Sequence, residues 1–433
     1  MKRILIIANL YHASPRIPGL ATYLPEFGWE ATIITPSIDN AERRLGFPEK
    51  FLERAKIAEA PYQGDIFWFW RKIFKLLGFK TDESVTEQIK ERVGVTSKMS
   101  FIDVLMNWYQ TIFAYPDTEK TWRKSAFKAA SEMLKKEHFK AILSSSPFPT
   151  SHIVAAKLKR RFALPWLADF RDPWTQNHNY PYGGVRKQFE EKLEIKTLKN
   201  AEMMIAATLA YARKQEHLHH KPAVVITNGF EPGKLNASIP LTRKFTLTYT
   251  GTIYSGKQDP EKFFVALTSL ISENLINPDD LEIRFFGAKS NWLKNKIMEN
   301  NLTDFVRQYG IISRTESLRK QQESQLLLFF NWEDSEERGV YPGKFFEYLS
   351  SQRPILASGG FPEDDLEKLL SETKAGIYAT TIGEIKTALL NSYKEYKSTG
   401  RVSYHGDVEA ISKYSYCEIA GEFVEVLNKI VEK

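Results

Sequence analysis

Cysteine is nearly absent from this sequence of 433 residues, in which Cys417 is the only one. An intrachain disulfide and a cysteine-based zinc site are therefore excluded, and the scarcity favours a reducing compartment. No segment approaches the roughly 18 uninterrupted apolar residues that a membrane span needs. The apolar run in the opening segment MKRILIIANL is too short for a signal peptide and is typical of a buried strand. We therefore predict a cytoplasmic protein, either soluble or bound peripherally at the inner face of a membrane.

Several motifs of nucleotide and metal chemistry are also missing. The sequence has neither a G-x-x-x-x-G-K-[ST] loop nor a G-x-G-x-x-G turn, which argues against ATPases and dehydrogenases. It has no Asp-x-Asp motif, and the HLHH run at 217–220 lacks the acidic partner of a zinc helix, so we predict no metal. The net charge of +7 fits anionic lipid or a phosphorylated small molecule, and no motif supports a nucleic-acid partner.

Apolar runs of strand length alternate with helix-length segments in both halves of the chain. Such runs, bounded by polar turns, are typical of parallel strands buried on both faces. The Gly- and Pro-containing segment 228–241 predicts a linker between two doubly wound α/β domains. The predicted strands are Arg3–Ala8, Ala31–Thr35, Ala141–Ser145, Pro165–Asp169, Met203–Ala207, Ala223–Thr227, Phe245–Thr250, Leu281–Phe286, Phe305–Tyr309, Gln325–Phe330, Pro354–Ala357 and Gly376–Tyr378.

Residues 40–120 interrupt this alternation and contain no clear parallel strand, which predicts a helical insertion. Within them, IFWFWRKIFKLLGFK at 66–80 holds six aromatic and four basic residues and no acidic one. A helix packed on the sheet would explain the aromatic residues. A basic amphipathic surface touching an anionic membrane or a lipid-linked acceptor would explain both residue types.

The segment GVYPGKFFEYLSSQRPILASGG at 339–360 predicts a helix that begins near Gly343 and is followed by a short strand. Free N–H groups at a helix N-terminus favour a diphosphate, and Lys344 in the first turn adds a positive charge. Glu347 lies one turn further along, where a carboxylate can accept hydrogen bonds from ribose hydroxyls. A surface Lys–Glu pair on an amphipathic helix is the simpler alternative.

This segment resembles the donor-site helix of GT-B glycosyltransferases, in particular the retaining family four. The resemblance implies that Glu347 holds the ribose of a nucleotide-sugar. The family's second glutamate, eight residues earlier, corresponds to Gly339 here. Two further segments, at 247–267 and 308–317, resemble the family's phosphate loop and base-packing loop. The implied donor-binding residues are Gly251, Thr252, Lys257, Ile312, Tyr341, Gly343, Lys344 and Glu347.

Two segments of the first half resemble the same family's bacterial surface-polysaccharide enzymes. ADFRDPW follows a predicted strand, which makes Asp169, Arg171 and Asp172 candidates for the reaction centre. Pairing of Arg171 with Asp172 merely to fix the loop is the alternative. In the loop at 8–35, Arg16 and Gly19 are candidates for an acceptor or phosphate loop, and Arg16 is equally suited to a helix start.

The resemblance implies a GT-B fold, in which two Rossmann-like domains with parallel sheets face each other across a cleft. Residues 1–228 would form the acceptor domain with the insertion at 40–120, residues 242–400 the donor domain, and a helix at about 415–433 could pack back on the first. The implied reaction transfers a sugar from a nucleotide-diphosphate sugar to a saccharide or lipid-linked hydroxyl, without a metal or other cofactor. A nucleotide-sugar 2-epimerase-like isomerase and a non-catalytic membrane-associated scaffold remain alternatives.

Overall fold

The structure is a computed structural model, which describes residues 1–10, 15–38, 47–62, 64, 66–67, 108–109, 111–177, 180–233, 239–335, 338–340 and 342–432. All twelve predicted strands are present within one or two residues at their ends, and a thirteenth joins them. The strands are β1 Lys2–Ile7, β2 Trp29–Thr35, β3 Ala55–Glu59, β4 Ala141–Ser145, β5 Trp166–Phe170, β6 Met203–Ala206, β7 Ala223–Val225, β8 Phe245–Thr250, β9 Leu281–Phe286, β10 Val306–Gly310, β11 Leu326–Phe330, β12 Ile355–Ser358 and β13 Gly376–Ala379.

These strands form two separate parallel sheets. The first has the order β3-β2-β1-β4-β5-β6-β7 and the second the order β10-β9-β8-β11-β12-β13. Every residue of the central strands β4 and β11 is buried, as expected for parallel strands covered by helices on both faces. The helices are α1 Arg16–Tyr23, α2 Phe51–Arg54, α3 Arg123–Lys136, α4 Pro149–Phe162, α5 Gly184–Leu198, α6 Leu209–His219, α7 Glu261–Ser272, α8 Asn291–Glu299, α9 Arg314–Gln322, α10 Gly343–Ser350, α11 Asp365–Thr373, α12 Ile382–Thr399, α13 Val408–Ser412 and α14 Tyr416–Val431.

Strand β3 corrects the expectation that residues 40–120 contain no parallel strand. It pairs in parallel with β2 and places Ile57 beside Ile33. Lys56 and Glu59 are exposed because β3 is the edge strand, so its sequence AKIAE lacks the continuous apolar run of a central strand. Most of the segment 66–80 and much of the expected insertion lie outside the described residues. Among the described residues, no helix is long and apolar enough to cross a bilayer.

Helix α14 returns from the second sheet and packs on the first. Its buried residues Phe423 and Leu427 belong to the same hydrophobic cluster as Ile4, Leu20 and Ile33. At the crossing, the Phe230 N–H donates to the Tyr414 carbonyl at 3.0 Å, and the Tyr416 N–H donates to the Phe230 carbonyl at 2.9 Å. The two chain segments that connect the sheets therefore lie side by side.

Candidate functional site

A cleft of about 380 Å³ lies where the two domains face each other. Three loops that line it come directly after the carboxyl ends of β8, β9 and β10. Open α/β sheets bind ligands at this edge. Pro15 contributes from the first domain. This cavity is here called the interdomain cleft. It is lined by Pro15, Gly251, Thr252, Phe286, Gly287, Ala288, Ile311, Ile312, Arg314, Ser317 and Glu347. The structure thus brings together four predicted donor-site residues, Gly251, Thr252, Ile312 and Glu347.

Glycines form the floor of this cleft. Gly251 has a φ of +113°, a conformation that disfavours other residues. A Cβ atom on Gly287 would lie 2.2 Å from the Gly251 carbonyl oxygen, so the loops after β8 and β9 meet backbone to backbone. Neither glycine carries a side chain where these two loops meet, so the backbone can approach a ligand closely there.

Helix α10 begins at Gly343 as predicted, and Lys344 reaches from its first turn to the Gly251 loop. The N-cap residue Pro342 supplies no side-chain hydrogen bond to the helix end. The Lys344 ammonium donates to the Tyr249 hydroxyl, and it lies 3.4 Å from the Thr252 carbonyl and 4.2 Å from the centre of the Tyr249 ring. Among the described residues, no carboxylate lies within ion-pair distance of it. Burial without a counter-ion lowers the pKa of Lys344 to about 7.

Glu347 faces the cleft and is paired with Arg314, a residue that is not among the predicted site residues. Arg314 Nε lies 3.1 Å from Glu347 Oε1, and the two side chains are 15% and 20% exposed. Arg314 is the first residue of α9 and lies within the predicted base-packing segment 308–317, in which Ile311 is 82% exposed. Arg314 could have been inferred from Glu347, because a partly buried carboxylate beside an anion site needs a cationic partner.

Asp169 and Arg16 form a buried ion pair between β5 and α1. Arg16 Nη2 lies 2.9 Å from Asp169 Oδ1, and the side chains are 1% and 0% exposed. Ser145 donates to the other carboxylate oxygen at 2.7 Å, and Arg16 also donates to the carbonyls of Ile226 and Thr227. Both groups therefore have protein partners, and this arrangement points to a structural role rather than to contact with a ligand.

Gly19 lies inside α1 rather than in an open loop. A Cβ atom there would lie 2.4 Å from the ring of Tyr416 on α14. The absence of a side chain thus allows the returning helix to pack closely against α1. Gly19 therefore allows the close packing of α14 on α1, and its expected place in an acceptor or phosphate loop stays a prediction.

Arg171 and Asp172 pair with each other after β5. Arg171 Nη2 lies 2.6 Å from Asp172 Oδ2, the side chains are 19% and 33% exposed, and the Asp172 N–H donates to Ser146 Oγ at 3.1 Å. The ion pair that this alternative requires is therefore present. The partial exposure still leaves Asp172 accessible at the carboxyl edge of the first sheet.

The remaining predicted residues lie outside the interdomain cleft or outside the described chain. Lys257 is half-buried in the loop after β8, where its carbonyl accepts from the Glu333 N–H at 3.0 Å. It does not line the cleft. Tyr341 lies outside the described residues. At Gly339 a Cβ atom would lie 2.9 Å from Asp365 Oδ2, and φ is +77°, so this position has little room for a glutamate.

The depressed pKa of Lys344 predicts a pH-dependent affinity for a diphosphate. From about pH 7 to about pH 9, Lys344 of the free protein loses its proton and with it the positive charge that attracts the diphosphate. The affinity for the diphosphate should therefore fall by up to about tenfold per pH unit. Calorimetry with a nucleoside diphosphate measures this. Lys344→Arg, which stays charged, should flatten the dependence. An equally steep fall in that variant would assign the dependence to another group.

The fold has known counterparts, although no family model and no curated protein matches the sequence. The structure of Anabaena HepE in complex with UDP and glucose matches with a TM-score of 0.62 and 10% identity, over 99% of this chain and 100% of that one. Sucrose-phosphate synthase from Thermosynechococcus elongatus matches with a TM-score of 0.57 and 12% identity, over 99% of both chains. TarM matches with a TM-score of 0.54 and 13% identity, again over 99% of both. Together with the two parallel sheets, these likenesses show that the chain has the two-domain GT-B fold.

Proposed function

We propose that the protein is a glycosyltransferase that binds a nucleotide-diphosphate sugar in the interdomain cleft. The observation that carries the proposal is the convergence of three different recognition elements in one cleft. Glu347 offers a carboxylate for ribose hydroxyls, Lys344 offers a cation beside the Gly251 loop, and Ile311 offers an exposed apolar surface for a base. A nucleoside diphosphate is the ligand that would use all three.

Uridine diphosphate is the proposed nucleotide. HepE, which shares this fold, has been solved with UDP and with UDP-glucose. In the present cleft, Ile311 and Ile312 would lie against the base, Glu347 would accept from the ribose, and backbone N–H groups near Gly251 and Gly343 would meet the diphosphate. Lys257 and Tyr341 are proposed as further donor contacts on the resemblance to family four.

The proposed reaction breaks the bond between the sugar's anomeric carbon and the diphosphate and forms a bond to an acceptor hydroxyl, whose proton passes to the departing phosphate. Retention of configuration and independence of metal follow from the resemblance to family four. The protein's contribution is to stabilise the departing negative charge with Lys344 and the N-terminus of α10. Its second contribution is to hold the acceptor hydroxyl beside the anomeric carbon.

The acceptor would lie against the carboxyl edge of the first sheet, with Asp172 orienting its hydroxyl. Asp172 is the accessible one of the two acidic residues after β5, whereas Asp169 is buried against Arg16. Arg171 would hold Asp172 in place through their ion pair. A saccharide or lipid-linked hydroxyl of bacterial surface polysaccharide or glycolipid is the proposed acceptor class.

The test combines binding and turnover on the whole protein. UDP should raise the unfolding temperature more than ADP or GDP, because a ligand stabilises the fold by RT ln(1 + [L]/Kd). With UDP-glucose as probe, slow release of UDP is expected even without an acceptor. Stabilisation by none of the nucleotides would contradict the donor site, and binding that changes the sugar without release of UDP would indicate an isomerase.

Asp172→Asn should lower turnover about tenfold to a hundredfold while the affinity for UDP changes little. A group that acts on the acceptor contributes to the transition state and not to donor binding. Asp279→Asn, an exposed carboxylate remote from the cleft, is the matched control. Wild-type turnover in Asp172→Asn would remove this loop from the mechanism.

A further inference from the structure

A second large groove lies on the outer surface of the first domain. Its volume is about 810 Å³, and it runs between α3, α4 and α5 and the 3-10 helix Thr118–Trp122. Six of its lining residues are basic and none is acidic. These six, here called the basic groove, are Lys120, Arg123, Lys124, Lys157, Arg160 and Lys196.

In the part of the chain that the structure describes, the cations of the basic groove lie together without forming ion pairs. Among the described residues, none of the six has a carboxylate within ion-pair distance. Burial lowers the pKa of both Lys120 and Lys157, and the neighbouring Arg123 lowers each of them further, whereas Asp117 acts in the opposite direction on Lys120. The mutual repulsion of these positive charges carries an electrostatic cost that a bound anion would relieve.

Large apolar side chains border the basic groove. Trp108, Ile112, Phe113, Val185 and Phe189, here called the apolar rim, are each half or more exposed. Exposure of one such residue is ordinary, but five on adjoining segments form a patch that needs an explanation.

The apolar rim and the basic groove are physically continuous. Tyr115 lines the groove, and its hydroxyl donates to the Phe189 carbonyl at 3.3 Å. Arg186 on α5 donates to the Thr111 carbonyl at 2.6 Å and to the Ala114 carbonyl at 2.5 Å. The segment around residues 111–115 is thereby held against α5, which supplies Lys196 to the groove and Phe189 to the rim.

We propose that the basic groove and the apolar rim form one docking surface for an anionic membrane. The lysines and arginines would meet lipid phosphates, and the rim would sink into the headgroup layer, the arrangement in which interfacial surfaces bind bilayers. Nucleic acid would use the charges but not Ile112 and Val185, because aliphatic side chains do not stack on bases. The six cations and the apolar border together therefore favour lipid.

This proposal is independent of the proposed glycosyl transfer and of the segment 66–80. It rests only on described residues, and its test needs no substrate. The whole protein is mixed with vesicles of phosphatidylcholine alone and with vesicles that also contain phosphatidylglycerol, at low and high salt, and the bound fraction is measured by sedimentation. Binding is expected only to the anionic vesicles and should weaken as salt rises.

A triple variant with Lys124→Gln, Lys157→Gln and Lys196→Gln should bind these vesicles roughly a hundredfold more weakly, at about fivefold for each lost cation. The matched control is Lys294→Gln, Lys374→Gln and Lys394→Gln, three exposed lysines of the second domain with the same change in net charge. This control variant should retain most of the affinity for the anionic vesicles. Thermal unfolding of both variants shows that the fold is intact.

Phe113→Ser combined with Phe189→Ser should weaken vesicle binding without changing its salt dependence, because these residues contribute apolar contact and not charge. Equal binding to neutral and anionic vesicles would overturn the proposal. Equal losses in the two lysine variants would also overturn it, since net charge alone would then be responsible. Capture of the protein by nucleic acid but not by vesicles would assign the groove to a different partner.

Discussion

Asp169→Ala is expected to lower the free energy of unfolding by about 3–5 kcal/mol, because it leaves a buried guanidinium without its counter-charge. Arg16 is 1% exposed and has no access to water that could replace the carboxylate. Its remaining hydrogen bonds, to the carbonyls of Ile226 and Thr227, satisfy donors but do not neutralise the charge. Denaturant unfolding monitored by fluorescence measures the loss.

The controls for Asp169→Ala separate a structural role from a catalytic one. Asp172→Ala, three residues further along the chain at a side chain that is 33% exposed, should cost far less stability. The double variant Arg16→Met and Asp169→Leu should recover much of the loss, since apolar replacement of a whole buried pair is often neutral. A stable Asp169→Ala protein with greatly reduced turnover would instead return Asp169 to the reaction centre.

The fold could be predicted well from the sequence because its central strands are buried on both faces. A short apolar run such as LLLFF of β11, bounded by polar turns and separated from the next run by a helix-length segment, favours a parallel strand. Strand β3 escaped this reasoning because an edge strand buries only part of its surface. Its five residues, AKIAE, mix apolar and charged side chains in a pattern that is also compatible with a loop or a helix.

The parts of the candidate site that lie within one continuous segment could be predicted from the sequence. The contacts between segments that are distant in the sequence could not. The start of α10 and the positions of Lys344 and Glu347 follow from a single stretch of sequence. The partners Arg314 for Glu347 and Asp169 for Arg16 are 33 and 153 residues away. Such pairs depend on how the strands are ordered in the sheet, which no local periodicity specifies. The same holds for Gly19, whose neighbour Tyr416 lies on the returning helix.

Glu347→Ala should weaken binding of a nucleoside diphosphate by about 2–4 kcal/mol, or roughly 30-fold to 1000-fold. The carboxylate is half-buried in the interdomain cleft and already holds a cation, so its oxygens are oriented before a ligand arrives. If Glu347 binds the ribose, the nucleoside and the nucleoside diphosphate should lose affinity to the same extent. Calorimetry with UDP and with uridine provides the comparison.

Two further variants distinguish recognition of the ribose from a general electrostatic effect. Lys344→Ala should weaken UDP much more than uridine, because its ammonium lies beside the Gly251 loop and not beside Glu347. Arg314→Gln removes the partner of Glu347 but leaves the carboxylate free to accept from ribose hydroxyls, so it should cost less than Glu347→Ala. If Arg314→Gln costs as much, the ion pair itself is the binding element and Glu347 acts by positioning Arg314. Unchanged affinity for UDP in Glu347→Ala would place the nucleotide elsewhere, and the convergence of carboxylate, lysine and glycine loop in this cleft would then need another explanation.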